Sequence, residues 1–321
     1  MAVISRTRKV SESGPGRAAY GRTPLLKRMW KWRYMYLFIL PTLIYFFVFS
    51  YLPYWGLQIA FKDFKLFAGM AASPWVGLQY FEEFFNSPDF VRLMRNTILI
   101  SVYRIIFGFP MPILFALLLN EVRHIWYKRS IQTITYFPNF LSWVVYAGII
   151  LIFIAPSGAI NSVLKSLGLP EIQILTSTRY FVPMLIITDI MKGFGFAAII
   201  YLAALAGIDP QLYEAAVIDG ANKLQQTWHV TLPGIRSTIV VMFILALGGL
   251  MNAGFDQIFQ LYNSAVLEVS DIIDTFVYRI GLQSAQYSLG TAVGLFKGVI
   301  GFLLIYFSNA MVRRTGEYSL W

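Results

Sequence analysis

Six times along the chain an apolar run of about 20 residues recurs, the length a helix needs to cross the ~30 Å hydrocarbon core of a bilayer. The runs lie near 34–54, 96–119, 131–154, 181–205, 236–255 and 288–311. Lipid offers the backbone no hydrogen-bond partners, so such runs fold as helices, whose bonds close within the segment. An all-α membrane protein of six transmembrane helices is expected. Hydrophobic residues make up 57% of the chain and charged ones 13%, with mean hydropathy +0.62, a membrane composition rather than a soluble one. Pro110 and Pro112 should kink the second span, because each removes a backbone donor. Lys192-Gly193 interrupts the fourth.

The distribution of Lys and Arg sets the orientation. With the N-terminus inside, sixteen of the 26 cations fall on the cytoplasmic side, seven outside and three within spans. Both termini and the 206–235 loop are therefore expected in the cytoplasm. Residues 1–30, rich in Ser, Gly, Pro and Arg, read as a basic tail without a fold, and 31–321 as the six-span domain. The net charge of +10 is concentrated in that tail, beside a span. This suits a membrane-surface anchor better than a nucleic-acid site. The apolar run that follows is longer than a signal-peptide core and lacks a small-residue cleavage site, so the first span is read as retained.

Several chemistries are excluded. There is no cysteine, hence no disulfide, thiol nucleophile or cysteine-ligated metal. The two histidines, His124 and His229, stand too far apart to suggest a metal site by spacing. No G-x-x-x-x-G-K-[ST] occurs, so ATP chemistry has no place in this chain. The run 193-GFGFAA-198 imitates a dinucleotide fingerprint, but it lies in an apolar span with no preceding strand and reads as helix packing.

The loop 206–235 carries more punctuation than a connection requires. Asp209 precedes Pro210, an N-cap followed by a residue favoured at the first helical position. A helix should run from there through Leu212, Ala215 and Ala216 and end at the turn Asp219-Gly220. A second short helix should place Leu224 and Trp228 on one face and stop before Pro233. Helices this short are marginal alone in water and need something to dock against.

In these residues the sequence resembles a known family. Glu214-Ala215-Ala216, then Gly220, Val230 and Leu232-Pro233 look like the EAA loop of permease subunits of bacterial ATP-binding-cassette importers, with Val230 in place of the usual Ile. The stretches 40-LPTLIYFFVFSYLPYWGLQIAFKDF-64, 76-VGLQYF-81, 88-PDF-90 and 96-NT-97 are similar to the maltose-type carbohydrate branch, and 315-TGEYSLW-321 to its polysaccharide-permease subgroup. The resemblance implies a type I importer permease fold and a cytoplasmic coupling loop in which Glu214, Ala215, Ala216, Asp219, Gly220, Leu232 and Pro233 meet an ATPase subunit. It implies a second permease subunit, two ATP-binding subunits that hold ATP and Mg, and an extracytoplasmic solute-binding protein. The chain itself would be no enzyme and hold no cofactor or metal. It would sit in the bacterial cytoplasmic (inner) membrane and import an oligosaccharide, acidic and alginate-like. A neutral oligosaccharide and a self-sufficient secondary transporter are the alternatives; the latter would need more intramembrane carboxylates than Asp189.

Within the spans stand the cations Arg104, Lys192 and Lys297 and one carboxylate, Asp189. A charge at the bilayer centre costs ~2.5–3.5 kcal/mol on insertion scales, so these groups should face protein or water. Asp189 and Lys192, three residues apart, are expected to neutralise each other. Two unpaired cations would remain, suited to an anionic substrate. Gly290, Gly294 and Gly298 form a small face on which another helix could pack. Trp143, Tyr146, Phe194 and Phe196 are aromatic candidates for sugar stacking, and 79-QYFEEFFNSPDF-90 is an amphipathic piece suited to the interface or to the outer bundle surface.

Overall fold

The computed structural model describes residues 30–314. The basic tail, but for Trp30, and residues 315–321 lie outside the described residues. The described chain divides between Gly56 and Leu57 into two compact units. Among the described residues the regular structure is helical, apart from one isolated antiparallel bridge between Lys62 and Trp75.

In the first unit a helix, Arg33–Phe46, runs through Pro41 and continues as a π-helical turn, Phe47–Tyr51. Every residue from Trp30 to Trp55 is exposed. A helix apolar on all sides and buried on none is a surface for lipid or another chain.

Five helices are long and apolar enough to cross a membrane: Arg33–Phe61, Phe90–Asn120, Trp143–Ser166, Thr178–Ala206 and Tyr287–Arg314. A sixth crossing, Arg236–Gly248, meets that length only together with Lys223–Gly234, from which it bends by 63°. They are called spans one, two, three, four, six and five respectively, and three depart from the sequence expectation. Span four is unbroken despite Lys192-Gly193. Span three is not one helix over 131–154. Ile125–Tyr136 ends in a 3-10 turn, Phe137–Phe140, and a new helix, Trp143–Ile154, starts where the Ser142 hydroxyl accepts from the Val145 N–H. Pro138 explains the break, since it can start a turn but not continue a ladder. Span five ends at Gly248 rather than 255, and after a left-handed pair, Ala253 and Gly254, a second helix runs over Phe255–Leu261. In span two the prolines are met by a π-helical turn, Arg104–Gly108, after which Pro110 opens a fresh helix.

Three buried clusters hold the second unit. One joins spans three and four to Ile258 and Leu261; one joins Ala116, Ala198, Tyr201 and Ile235 near the coupling loop. The third packs Phe84, Leu93, Phe276 and Val293, so the amphipathic piece at 79–90 turns its Phe84 inward rather than to an interface. The glycine face of span six is used at one point only. Gly290 meets the Gly281 backbone, while Gly294 and Gly298 have open space where a Cβ would stand. Gly195, in the run that imitates a nucleotide fingerprint, lies against the Thr135 backbone, which is helix packing.

Asp271, fully buried, ties residues 267–279 to the start of span two. It accepts from Arg279 at 3.1 and 2.7 Å and from Arg92 at 3.2 Å. These bonds raise the Arg279 guanidinium above its ordinary value. A fully buried carboxylate persists only with such partners.

Candidate translocation pathway and coupling loop

The breaks in spans three and five are held by side chains from neighbouring spans, Lys192 at the first and Arg104 at the second. Lys192, on span four, donates to the carbonyls of Pro138 (3.2 Å), Asn139 (3.1 Å) and Leu141 (2.7 Å). Its ammonium also lies 5.3 Å from the Trp143 ring and 5.8 Å from the Tyr146 ring. It therefore closes the broken end of span three, combining charge-assisted bonds with cation–π contact.

Arg104 holds the chain after the span-five break through side chains rather than carbonyls. Its guanidinium pairs with Asp189 at 3.0 Å and donates to the side chain of Gln257, in the first turn after the break. Gln257 is fully buried and donates in turn to Leu185 O (2.9 Å) and Thr188 Oγ1 (2.7 Å). Gly254, at φ +78°, lies so close under Arg104 that a Cβ there would overlap the guanidinium. Spans two, four and five are thus joined at one level by a single polar network.

Lys297 holds Asp274 through both carboxylate oxygens at 2.6 Å. The pair lines a cavity of 540 Å³ between the span-five break and span six, with Asn252, Asp256 and the rings of Trp143, Phe255 and Tyr278 around it.

These geometries correct the charge reading. Asp189 pairs with Arg104, not with Lys192 three residues away, and no cation of the three is left without a partner. Two features escape a reading by runs. Asp274 lies just before span six and folds back against it, and a helix break turns carbonyls into ligands for an ammonium. The acid pair in 271-DIIDTF-276 and the glycines of 248-GGLMNAG-254 carry the missed signals for Asp274, Gly254 and Gln257.

The loop folds largely as its local chemistry requires. Asp209 caps the helix Pro210–Ile218 by accepting from the Gln211 N–H at 3.0 Å. Asp219 closes it, Gly220 turns at φ +81°, and Asn222 and Gln225 form a capping box for the second helix. Tyr213 and Thr231 are hydrogen-bonded at 3.0 Å across the two helices. The second helix does not stop before Pro233, as expected. It passes through a π-helical turn, Thr227–Thr231, and resumes over Leu232–Gly234 with Pro233 in its first turn, where no donor is needed. Glu214, Ala215, Asp219, Gly220 and Pro233 are exposed, and Ala216 and Leu232 half-buried. Around them Leu212, Ile218, Leu224 and Trp228 also stand exposed. Contiguous apolar surface beside polar groups marks an interaction face. A groove of 420 Å³ runs between the two helices, lined by Ala215, Ala216, Gly220 and His229 among others.

A bundle of broken membrane helices around a polar cavity, with a capped helical loop at one end, defines a permease. The chain belongs to the family of binding-protein-dependent transport system inner membrane components, whose model matches residues 108–316. It is 42% identical over 301 residues to the polygalacturonan/rhamnogalacturonan transport system permease protein YteP of Bacillus subtilis, with 94% of each chain covered. The crystal structure of a bacterial transporter that imports the acidic polysaccharide alginate contains a chain of the same fold. The two superpose with TM-score 0.85 at 41% identity, covering 91% of this chain and 99% of that one. A bacterial alginate transporter in complex with an alginate pentasaccharide-bound periplasmic protein gives the same TM-score at 39% identity, covering 93% of this chain and all of that one. This protein is a sugar-importer permease of the ATP-binding-cassette class. Transport by its family depends on a binding protein.

Proposed function

We propose that this permease imports an acidic, alginate-like oligosaccharide. The carrying observation is the cavity at Lys297, where one ammonium is held by Asp274, with Asp256 on the same wall, amid three aromatic rings. A uronate residue offers a carboxylate that can take the place of Asp274 on Lys297 and a ring face that can stack on Trp143 or Tyr278. The similar proteins handle alginate and polygalacturonan, both polyuronates, which supports the same class here. Arg104, Asp189 and Lys192 belong to the pathway as its frame, since they hold the helix breaks that form its wall. Lys297→Gln should lower uptake of uronate oligosaccharides about tenfold, the loss of one charge-assisted bond, and leave neutral oligosaccharides unaffected. Equal uptake of uronates by the variant and the wild type would remove the proposal, and equal loss of both classes would make Lys297 a structural residue and remove it as well.

Coupling follows from the loop. In this reading ATP and Mg are held and ATP is hydrolysed in the partner subunits, and Glu214, Ala215, Ala216, Asp219, Gly220, Leu232 and Pro233 form the face that docks into them. Closure of the ATPase pair would move the loop and open the pathway outward. Both termini and the loop are cytoplasmic, which agrees with the Lys and Arg asymmetry. An introduced cysteine at Asn222 should resist an impermeant thiol reagent in intact cells, and one at Glu171, exposed at the other end, should be labelled. The native chain has no cysteine to obscure the result. Labelling at Asn222 from outside would invert the orientation.

A further inference from the structure

A groove of 660 Å³ runs between spans two and four, away from the polar cavity. Its walls are Tyr103 and Phe107 from span two and Ile186, Ile187 and Ile190 from span four, with Arg179 at one end. Phe107 and Ile187 are more than half exposed, so the groove opens on the outer surface of the described bundle. Arg179 stands in the first turn of span four, at the end opposite the coupling loop. Among the described residues it has no carboxylate partner, and its guanidinium lies 5.8 Å from the Tyr180 ring.

Two properties of this groove point to one ligand. From Arg179 to Ile190 the helix rises about 16 Å, close to half of the ~30 Å hydrocarbon thickness, which is the depth of a single leaflet. The one charged group of the lining is at one end, as the phosphate is in a phospholipid. A guanidinium at the start of a span reaches the headgroup level readily, where a phosphodiester can bond it in bidentate fashion. A helix of another subunit in the same groove would need a carboxylate at that level, or it would leave Arg179 unpaired.

We infer that the groove between spans two and four binds an anionic phospholipid, its phosphate on Arg179 and an acyl chain along Phe107, Ile187 and Ile190. The complete transporter, purified with its partner subunits, is analysed by native mass spectrometry after exchange against phosphatidylglycerol or phosphatidylethanolamine. The wild type should retain phosphatidylglycerol preferentially, and Arg179→Gln should reduce that preference about fivefold, the factor one basic residue contributes near an anionic surface. Ile187→Trp should displace the chain with the cation intact. A photoreactive side chain at Ile187 should give a lipid adduct. An adduct to the second permease would make the groove a subunit interface and overturn the inference. A lipid adduct without headgroup preference, or the same preference in Arg179→Gln, would do so as well.

Discussion

Gly254→Ala is expected to lower transport at least tenfold. Gly254 adopts φ +78° and sits directly under the Arg104 guanidinium, so an added Cβ meets two penalties. The left-handed conformation costs a non-glycine residue roughly 1–2 kcal/mol. The overlap displaces Arg104, which pairs with Asp189 and bonds Gln257. Breaking a largely buried pair by moving one partner costs about 3 kcal/mol, and Gln257 would lose the partner of its carbonyl. The break in span five would then lose its link to spans two and four. Gly249→Ala, five residues earlier, is the control. There φ is −80° and a Cβ would meet its nearest neighbour at an ordinary 3.5 Å. Reconstituted complexes should show uptake close to wild type for Gly249→Ala and at least tenfold lower for Gly254→Ala. Wild-type uptake by Gly254→Ala would mean that the network does not hold the break.

The difference between these two glycines shows where sequence reading reaches its limit. The spans were legible because lipid demands long apolar helices, and the coupling loop because caps and turns are local. Asp209-Pro210, Asp219-Gly220 and the spacing to Leu232-Pro233 each state their own conformation. The pathway was less legible, because its geometry depends on breaks within spans. A run of apolar residues reads the same whether its helix is whole or broken, so Pro138 and Gly254 were passed over. Charge accounting then failed in a definite way. It had no term for carbonyls freed at a break, which take up Lys192, or for Asp274, which approaches Lys297 from outside the span. That three cations lie within the spans was readable; the use of Arg104 and Lys192 as fasteners of broken helices required the fold.

At the other end of the molecule, Glu214→Lys and Gly220→Pro should each uncouple the transporter while leaving it assembled in the membrane. Glu214 is exposed and has no ion-pair partner among the described residues. Its replacement should therefore change the fold's stability by no more than about 0.5 kcal/mol, as for an ordinary surface position. What it would remove is a carboxylate presented beside Ile218 and Leu212 to whatever docks there. A cation in its place would repel the guanidinium or ammonium that a docking surface offers a carboxylate, costing several kcal/mol of association. Gly220 acts through shape. At φ +81° it reverses the chain between two capped helices, and proline, fixed near −65°, cannot follow. The second helix with Leu224 and Trp228 would then leave the first, breaking the Tyr213–Thr231 bond. Substrate-stimulated ATP hydrolysis should fall to the basal rate in both variants, with the permease still inserted and expressed at wild-type level. If Glu214→Lys kept full stimulation while Gly220→Pro lost it, the loop would couple by shape alone. Full stimulation in both would rule out the loop as the coupling element.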